Sequence, residues 1–401
     1  MAGSRTFRPR IGLHENRICS VSDECRNLAP IGHYADRTLF TEPENMSGIS
    51  NRPPVTGRRV AAFSAVAALI VSVASAEPGV TVATGPGYDF DRRELEAILE
   101  DLVSWMPGEW SSEPQLHYER TVRMPAEGEH DPWYRSFARI DAPQIGPYVF
   151  YGQVNIAGRE GPLFGRTQVL YKASIDEARG VVLIRGQAMA DAEKYINLQD
   201  RPELWSQVRM NEDAINCDFI WRRDGDQVVG VLEGRTEDKR RNGPGTCTFT
   251  STSGKEFYSD AEWVLSPETL WMYDINTLGG KRFNGREDRT HTRLSRARPY
   301  ACQVEDADGR RAVDSYDRGG TGAVRTAPGT VLQWTLLRAS YPAADGFGLD
   351  DELRITLHEP EALQPLETSR AASKADRITL EARGIKVDCR RQEKFGPMPP
   401  G

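Results

Sequence analysis

The spacing of hydrophobic positions changes once along this chain. Between Tyr88 and Met106, Leu95, Ile98, Leu99, Leu102 and Trp105 recur three and four residues apart. That period predicts one amphipathic helix, and Pro107-Gly108 stops it. Beyond the helix the period shortens to two. Tyr148–Val154, Arg166–Tyr171, Gly180–Arg185, Cys217–Arg222, Gln227–Glu233, Thr246–Thr252, Phe257–Leu265 and Thr269–Ile275 read as short strands bounded by turns. Arg223-Asp224-Gly225-Asp226 joins two of them as a hairpin. Many short strands after a single helix predict a closed antiparallel meander rather than βαβ units. A short polar helix is expected at Asp191–Leu204. From Glu305 to Pro328 the chain is charged and Gly-rich, which predicts a linker. Three further strand-like runs follow, Thr330–Leu337, Leu353–His358 and Arg377–Cys389, and Phe395–Gly401 reads as a disordered tail.

The N-terminus is organised differently. Arg58-Arg59 precedes the apolar stretch Val60–Ala74, and Ala74-Ser75-Ala76 comes just before Glu77. A positive flank, a short apolar run and an A-x-A end describe a secretory signal peptide. The run is shorter than the roughly 20 residues that span a bilayer. Met46 supplies a start that gives this signal an ordinary length, so residues 1–45 read as a misassigned start or a disordered leader. The expected layout is a signal peptide over residues 46–76, a barrel over 77–300, a C-terminal β appendage over 301–395 and a tail over 396–401. The expected location is the periplasm.

Charge and composition narrow the function. The formal charge of the chain is −7, and without residues 1–76 it is 42 basic against 52 acidic side chains, or −10. Such a surface offers no basic field to nucleic acid. Once the signal is removed, no transmembrane span is expected. The sequence contains no C-x-x-C, and His117, His130, His291 and His358 are isolated along it, so no metal site is expected. No P-loop or Ser-His-Asp pattern is evident, and Gly319-Gly320-Thr321-Gly322 does not follow a strand. Cys217, Cys247, Cys302 and Cys389 form an even set, which an oxidising compartment favours as disulfides. Two readings stay open for Cys217 and Cys247: ligand-reactive thiols, or a bond tying adjacent barrel strands. A Cys302–Cys389 bond would staple the appendage to the barrel exit.

Four segments in order carry a resemblance. They are Trp105–Ser112 with Gln115; Tyr148–Arg166 with Tyr151, Gln153 and Arg166; Asn216–Trp221, a hairpin and Cys247; and Tyr258–Gly285 with Ser259, Glu262, Asp274 and Gly285. Over roughly residues 92–300 the chain resembles the CpcT/CpeT family of phycobiliprotein chromophore lyases. The resemblance implies a mainly β fold: a lipocalin-like, calyx-shaped antiparallel barrel with an N-terminal helix. It also implies an activity, the attachment of a linear tetrapyrrole (bilin) to a cysteine of an acceptor protein, with no resident cofactor required. Residues able to hold a bilin are Tyr151, Gln153, Arg166, Asp218, Trp221, Glu262 and Asp274. Arg suits a propionate, carboxylate suits pyrrole N–H, and aromatics suit the conjugated body. Each has a structural reading as well, in the barrel core or in a strand-face ion pair. A non-catalytic barrel holding a tetrapyrrole or lipid, and a structural envelope protein, are the alternatives.

Overall fold

The computed structural model describes residues 91–398, apart from 126–127, 165–167, 190, 211–216, 235–245, 251–253, 344–347, 361 and 363. The proposed leader, the signal peptide and Glu77 lie outside the described residues, as does Arg166. Helix α1 (Arg92–Trp105) starts where the Asp91 side chain accepts from the Arg93 N–H, a standard way to satisfy a helix's first donors. Its buried residues are Leu95, Ile98, Leu99 and Leu102, the predicted stripe.

After α1 come β1 (Gly108–Ser111), α2 (Glu113–Thr121), β2 (Trp133–Ile140), β3 (Val149–Ile156), β4 (Val169–Asp176), β5 (Val181–Ala188), β6 (Cys217–Asp224), β7 (Gln227–Gly234), β8 (Thr246–Thr250), β9 (Glu256–Leu265), β10 (Thr269–Leu278), β11 (Lys281–Asn284) and β12 (Thr292–Arg296). Among the described residues, ten strands close in the order β10-β12-β1-β2-β3-β4-β5-β6-β7-β9 and back to β10, all antiparallel; β8 and β11 flank the closed ring. The protein is therefore a mainly β, closed antiparallel barrel, and closure leaves its ring with no free edge. The α1 face packs into the barrel's interior cluster with Trp221, Val182 and Val228. Arg223, at the β6–β7 turn, pairs with Asp101 and lies 5.7 Å from the Trp105 ring, so α1 closes that end.

Eight more strands form the appendage: β13 (Pro299–Asp306), β14 (Gly309–Tyr316), β15 (Arg318–Arg325), β16 (Val331–Pro342), β17 (Leu349–His358), β18 (Glu367–Ala372), β19 (Arg377–Ala382) and β20 (Ile385–Arg391). They build two sheets, β14-β13-β20-β19 and β15-β16-β17-β18, whose shared apolar cluster includes Trp334, Leu336, Ile355 and Val387.

Several expectations change. The region expected as a charged linker, Glu305–Pro328, forms the end of β13 and all of β14 and β15. Asp306 pairs with Gly309 across a two-residue turn, alternate residues such as Val313 and Val324 turn inward, and the buried Asp306 and Asp317 side chains are paired with Arg311 and Arg338. The Asp191–Leu204 helix is instead a run of three short 3₁₀ turns, Ala192–Tyr195, Leu198–Asp200 and Pro202–Gln207, packed on the outer wall of the barrel. The start of the tail is docked rather than disordered. Arg159 donates to the Gly396 and Pro397 carbonyls, the Met398 N–H donates to Asp200 at 2.7 Å, and Met398 is buried. Arg159 also donates to Glu109 at 2.9 Å, and Glu109 accepts from the Tyr134 hydroxyl. Burial pushes the Glu109 carboxyl up, and Arg159 opposes that shift. The pocket beside Arg159, Tyr300 and Phe395 is about 10 Å³, room for about one water molecule.

Both disulfides form, Cys217–Cys247 and Cys302–Cys389. Cys302 and Cys389 face each other across β13 and β20, so this bond staples the appendage to itself rather than to the barrel exit. The other bond does not join adjacent strands. Cys217 starts β6, which pairs with β7, whereas Cys247 lies on β8, which pairs with β9. Strand β9 pairs with β7 through Glu262–Leu265 and with β8 through Glu256–Asp260, so the bond spans the point where one neighbour replaces the other.

Candidate functional site in the barrel interior

Inside a barrel, alternate residues of each strand point inward. On β2 these are Trp133, Arg135 and Phe137; on β3, Phe150 and Val154; on β9, Ala261 and Trp263; and on β10, Leu270 and Met272. Asp274 continues the β10 series. The Arg135 Nη2 donates to Asp274 Oδ2 at 3.0 Å, and the Trp263 Nε1–H donates to Asp274 Oδ1 at 2.9 Å. The guanidinium lies 5.4 Å from the Trp263 ring centre and 6.0 Å from that of Trp133, within cation–π range.

Tyr171, Phe137 and Phe219 complete the aromatic wall. Their ring centres lie 6.0, 6.0 and 4.8 Å from that of Trp263. Burial pushes the Tyr171 phenol up to about 12; Arg135 acts against this shift and Asp274 adds to it. Tyr171 has room because its β3 neighbour is Gly152: a Cβ there would lie 2.7 Å from the tyrosine ring.

Asp274 neutralises Arg135, which an ion this deeply buried requires. The pair does not exhaust the arginine. Arg135 is 9% exposed, and its Nε is buried without a hydrogen-bond partner among the described residues. One donor of a buried cation therefore remains for an acceptor from elsewhere, in a shell of indole and phenol rings.

The residues expected to hold a ligand do not gather in one place. Asp274 and Trp221 face the interior, but Trp221 lies at the α1 end, where Gly230 leaves a hollow for it. A Cβ at Gly230 would meet the indole at 2.5 Å. Tyr151 and Gln153 have the opposite parity to Phe150 and Val154 and face outward. The Tyr151 hydroxyl donates to Gln153 at 2.8 Å, and Gln153 in turn donates to Asn197 at 2.8 Å and accepts from its backbone N–H at 2.9 Å. These two residues fasten the 3₁₀ segment to the wall. Expected among the bilin-holding residues, they are instead engaged with each other and with Asn197. Asp218 also faces outward and pairs with Arg185 at 3.3 Å. Burial raises its carboxyl to about 6, against the lowering influence of Arg185. Glu262 accepts from or pairs with His291 at 3.1 Å, again on the outer wall.

Arg135, Trp133, Trp263 and Tyr171 were not singled out in the sequence. The signal that could have found them is the alternation Trp133-x-Arg135-x-Phe137, which places a cation in register with two aromatics on one strand face.

The site therefore defines a closed β-barrel with a charged, aromatic-lined interior. No known family model matches the chain, and no curated protein matches it. Among solved structures, the chain is similar to the CRL protein of Arabidopsis, with 14% identity and a TM-score of 0.35 over 51% of this chain and 97% of that one. Among the described residues no helix is long and apolar enough to cross a membrane.

Proposed function

We propose that this is an exported binding barrel of the CpcT/CpeT kind, and that it holds a linear tetrapyrrole or a similar conjugated ligand bearing a carboxylate. One observation carries the reading: the free Nε of buried Arg135, set beside Asp274 and between Trp133 and Trp263. A propionate would pair with the guanidinium, Asp274 would accept from pyrrole N–H, and the rings would stack on the conjugated body. The interior aromatics are in mutual contact, so entry of such a ligand requires Tyr171 or Trp263 to shift.

The lyase reading adds a step, thioether formation on a cysteine. Cys217, Cys247, Cys302 and Cys389 are bonded, so the acceptor thiol would belong to a partner protein. The barrel's part would be to position and protonate the bilin. The test uses the chain beginning at Glu77, mixed with biliverdin or phycocyanobilin. A red-shifted, sharpened pigment spectrum supports binding; a spectrum equal to that of free pigment refutes it. Periplasmic export predicts that protein recovered from the cell envelope begins at Glu77. Recovery of intact residues 1–45 in the cytoplasm would refute export.

A further inference from the structure

A second cluster lies at the end of the barrel opposite α1 and plays no part in the binding site. His130, just before β2, is 8% exposed. Its Nδ1 lies 2.5 Å from Glu119 Oε1, and its own backbone N–H donates to Glu119 Oε2 at 2.9 Å. Glu119 comes from α2 and is 3% exposed. Held at both oxygens, this carboxylate fixes the imidazole and places a proton on Nδ1. The Gln115 amide nitrogen sits 2.9 Å from the same ring atom, and its oxygen accepts from the Arg293 N–H at 2.6 Å. The other ring nitrogen is then an acceptor, and the Thr290 hydroxyl lies 3.3 Å from Nε2. Thr290 is on the exposed turn before β12. Arg286 Nε donates to the same hydroxyl at 2.8 Å, and the hydroxyl donates to Asp288 Oδ1 at 2.8 Å, so it must rotate from Asp288 to Nε2 before His130 can take its proton.

We infer that Glu119, His130 and Thr290 form an acyl-transfer relay on the barrel's outer rim. A hydroxyl within reach of an imidazole, with that imidazole oriented by a buried carboxylate, is the arrangement that activates a hydroxyl nucleophile. None of the three is adjacent in sequence, so no local motif announces them. In the reaction, Thr290 Oγ1 attacks the carbonyl carbon of an ester while His130 Nε2 takes its proton. The tetrahedral intermediate collapses, the C–O bond to the alcohol breaks, and His130 returns the proton to the departing oxygen. Water, deprotonated by the same nitrogen, then releases the acid and restores Thr290. Thr290 is solvent-facing, so the substrate class is a small, accessible carboxylic ester.

The experiment incubates the chain with p-nitrophenyl acetate, follows p-nitrophenolate release and locates acetyl groups by mass spectrometry. The relay predicts acetylation at Thr290 and a rate on the order of 10²-fold above that of Thr290→Ala. Thr290→Ser should keep the activity, because serine keeps the hydroxyl, and His130→Ala should lose it. Thr290 is exposed, so its variants should retain wild-type circular dichroism and melting. Equal rates in the wild type and Thr290→Ala, or no acetyl group on Thr290 in folded protein, would overturn the relay.

Discussion

The barrel and the C-terminal sandwich are built from the same short antiparallel strands, yet they fill their interiors differently. The sandwich cluster is an apolar layer around Trp334, with Leu353, Ile355, Leu357, Leu380 and Val387 fully or almost fully buried. The barrel cluster is larger, and beside its apolar side chains the barrel interior holds the Arg135–Asp274 ion pair. A buried ion pair is a poor way to stabilise a fold, since apolar residues of the same volume serve as well or better. The sandwich shows that this chain can make such an apolar interior. The appendage keeps its own buried pair, Arg338–Asp317, outside that apolar cluster, whereas Arg135 and Asp274 sit among the aromatics of the barrel interior; on the reading proposed above, that placement serves a ligand.

The two regions should respond differently to substitution. The largest effect is expected from Cys302→Ala with Cys389→Ala. That bond spans 87 residues, against 30 for Cys217–Cys247. Chain-entropy estimates give about 4.6 and about 3.6 kcal/mol respectively. Urea unfolding of the two double variants should rank them in that order, and the reverse order would contradict the chain-entropy ranking.

Asp274→Ala, which leaves Arg135 buried and unpaired, should cost about 3–5 kcal/mol. Arg135→Met with Asp274→Leu should recover most of that stability while abolishing ligand binding. If the double variant stays as unstable as Asp274→Ala, the pair is structural and the comparison fails. Gly230→Ala forces the indole of Trp221 to move and should cost about 1–3 kcal/mol, read as a drop in melting temperature.

The smallest effects are in pH dependence. Asp218 ionises near pH 6 when folded and near 3.8 when unfolded, so its contribution is present below pH 3.8 and is lost as pH rises through 6. His117, whose ring centre lies 4.9 Å from that of Tyr341, has the opposite sign. Burial lowers it from 6.5 to about 4, so the folded state loses stability as pH falls through that window. Unfolding midpoints between pH 4 and 6.5 should climb with pH in Asp218→Asn and fall in His117→Gln. Parallel profiles would show that neither group titrates as its surroundings imply.

Strand β3 shows how far the sequence could be read. Its existence is plain from Tyr148–Val154, but its facing is not. Residues Val149–Asn155 are all buried, because the 3₁₀ segment and the turn at Arg159–Gly161 cover the outer wall. A strand covered on both faces loses the polar–apolar alternation that fixes parity. Tyr151 and Gln153 were therefore expected inside, although Phe150 and Val154 hold that face. Strand β2 was missed for the converse reason: Arg135, Ser136 and Arg139 interrupt its apolar pattern, and the arginine that interrupts it is the one at the site. Strands β14 and β15 were hidden because Arg, Asp and Gly break the apolar pattern along them. The helix, the even set of four cysteines and the closed meander were legible because each rests on local spacing or on parity of count, whereas an even count alone leaves the pairing open.

The most direct test is a biliverdin titration of the chain from Glu77, followed by pigment absorbance and by quenching of Trp133 and Trp263 fluorescence. Wild type, Arg135→Met and Arg166→Ala are compared. The account predicts saturable binding in the wild type, weakened by about 10- to 100-fold in Arg135→Met, the scale of one charged hydrogen bond. Arg166→Ala should weaken binding less than Arg135→Met. No spectral change in the wild type, or equal affinity in Arg135→Met, would contradict a binding site in the barrel interior.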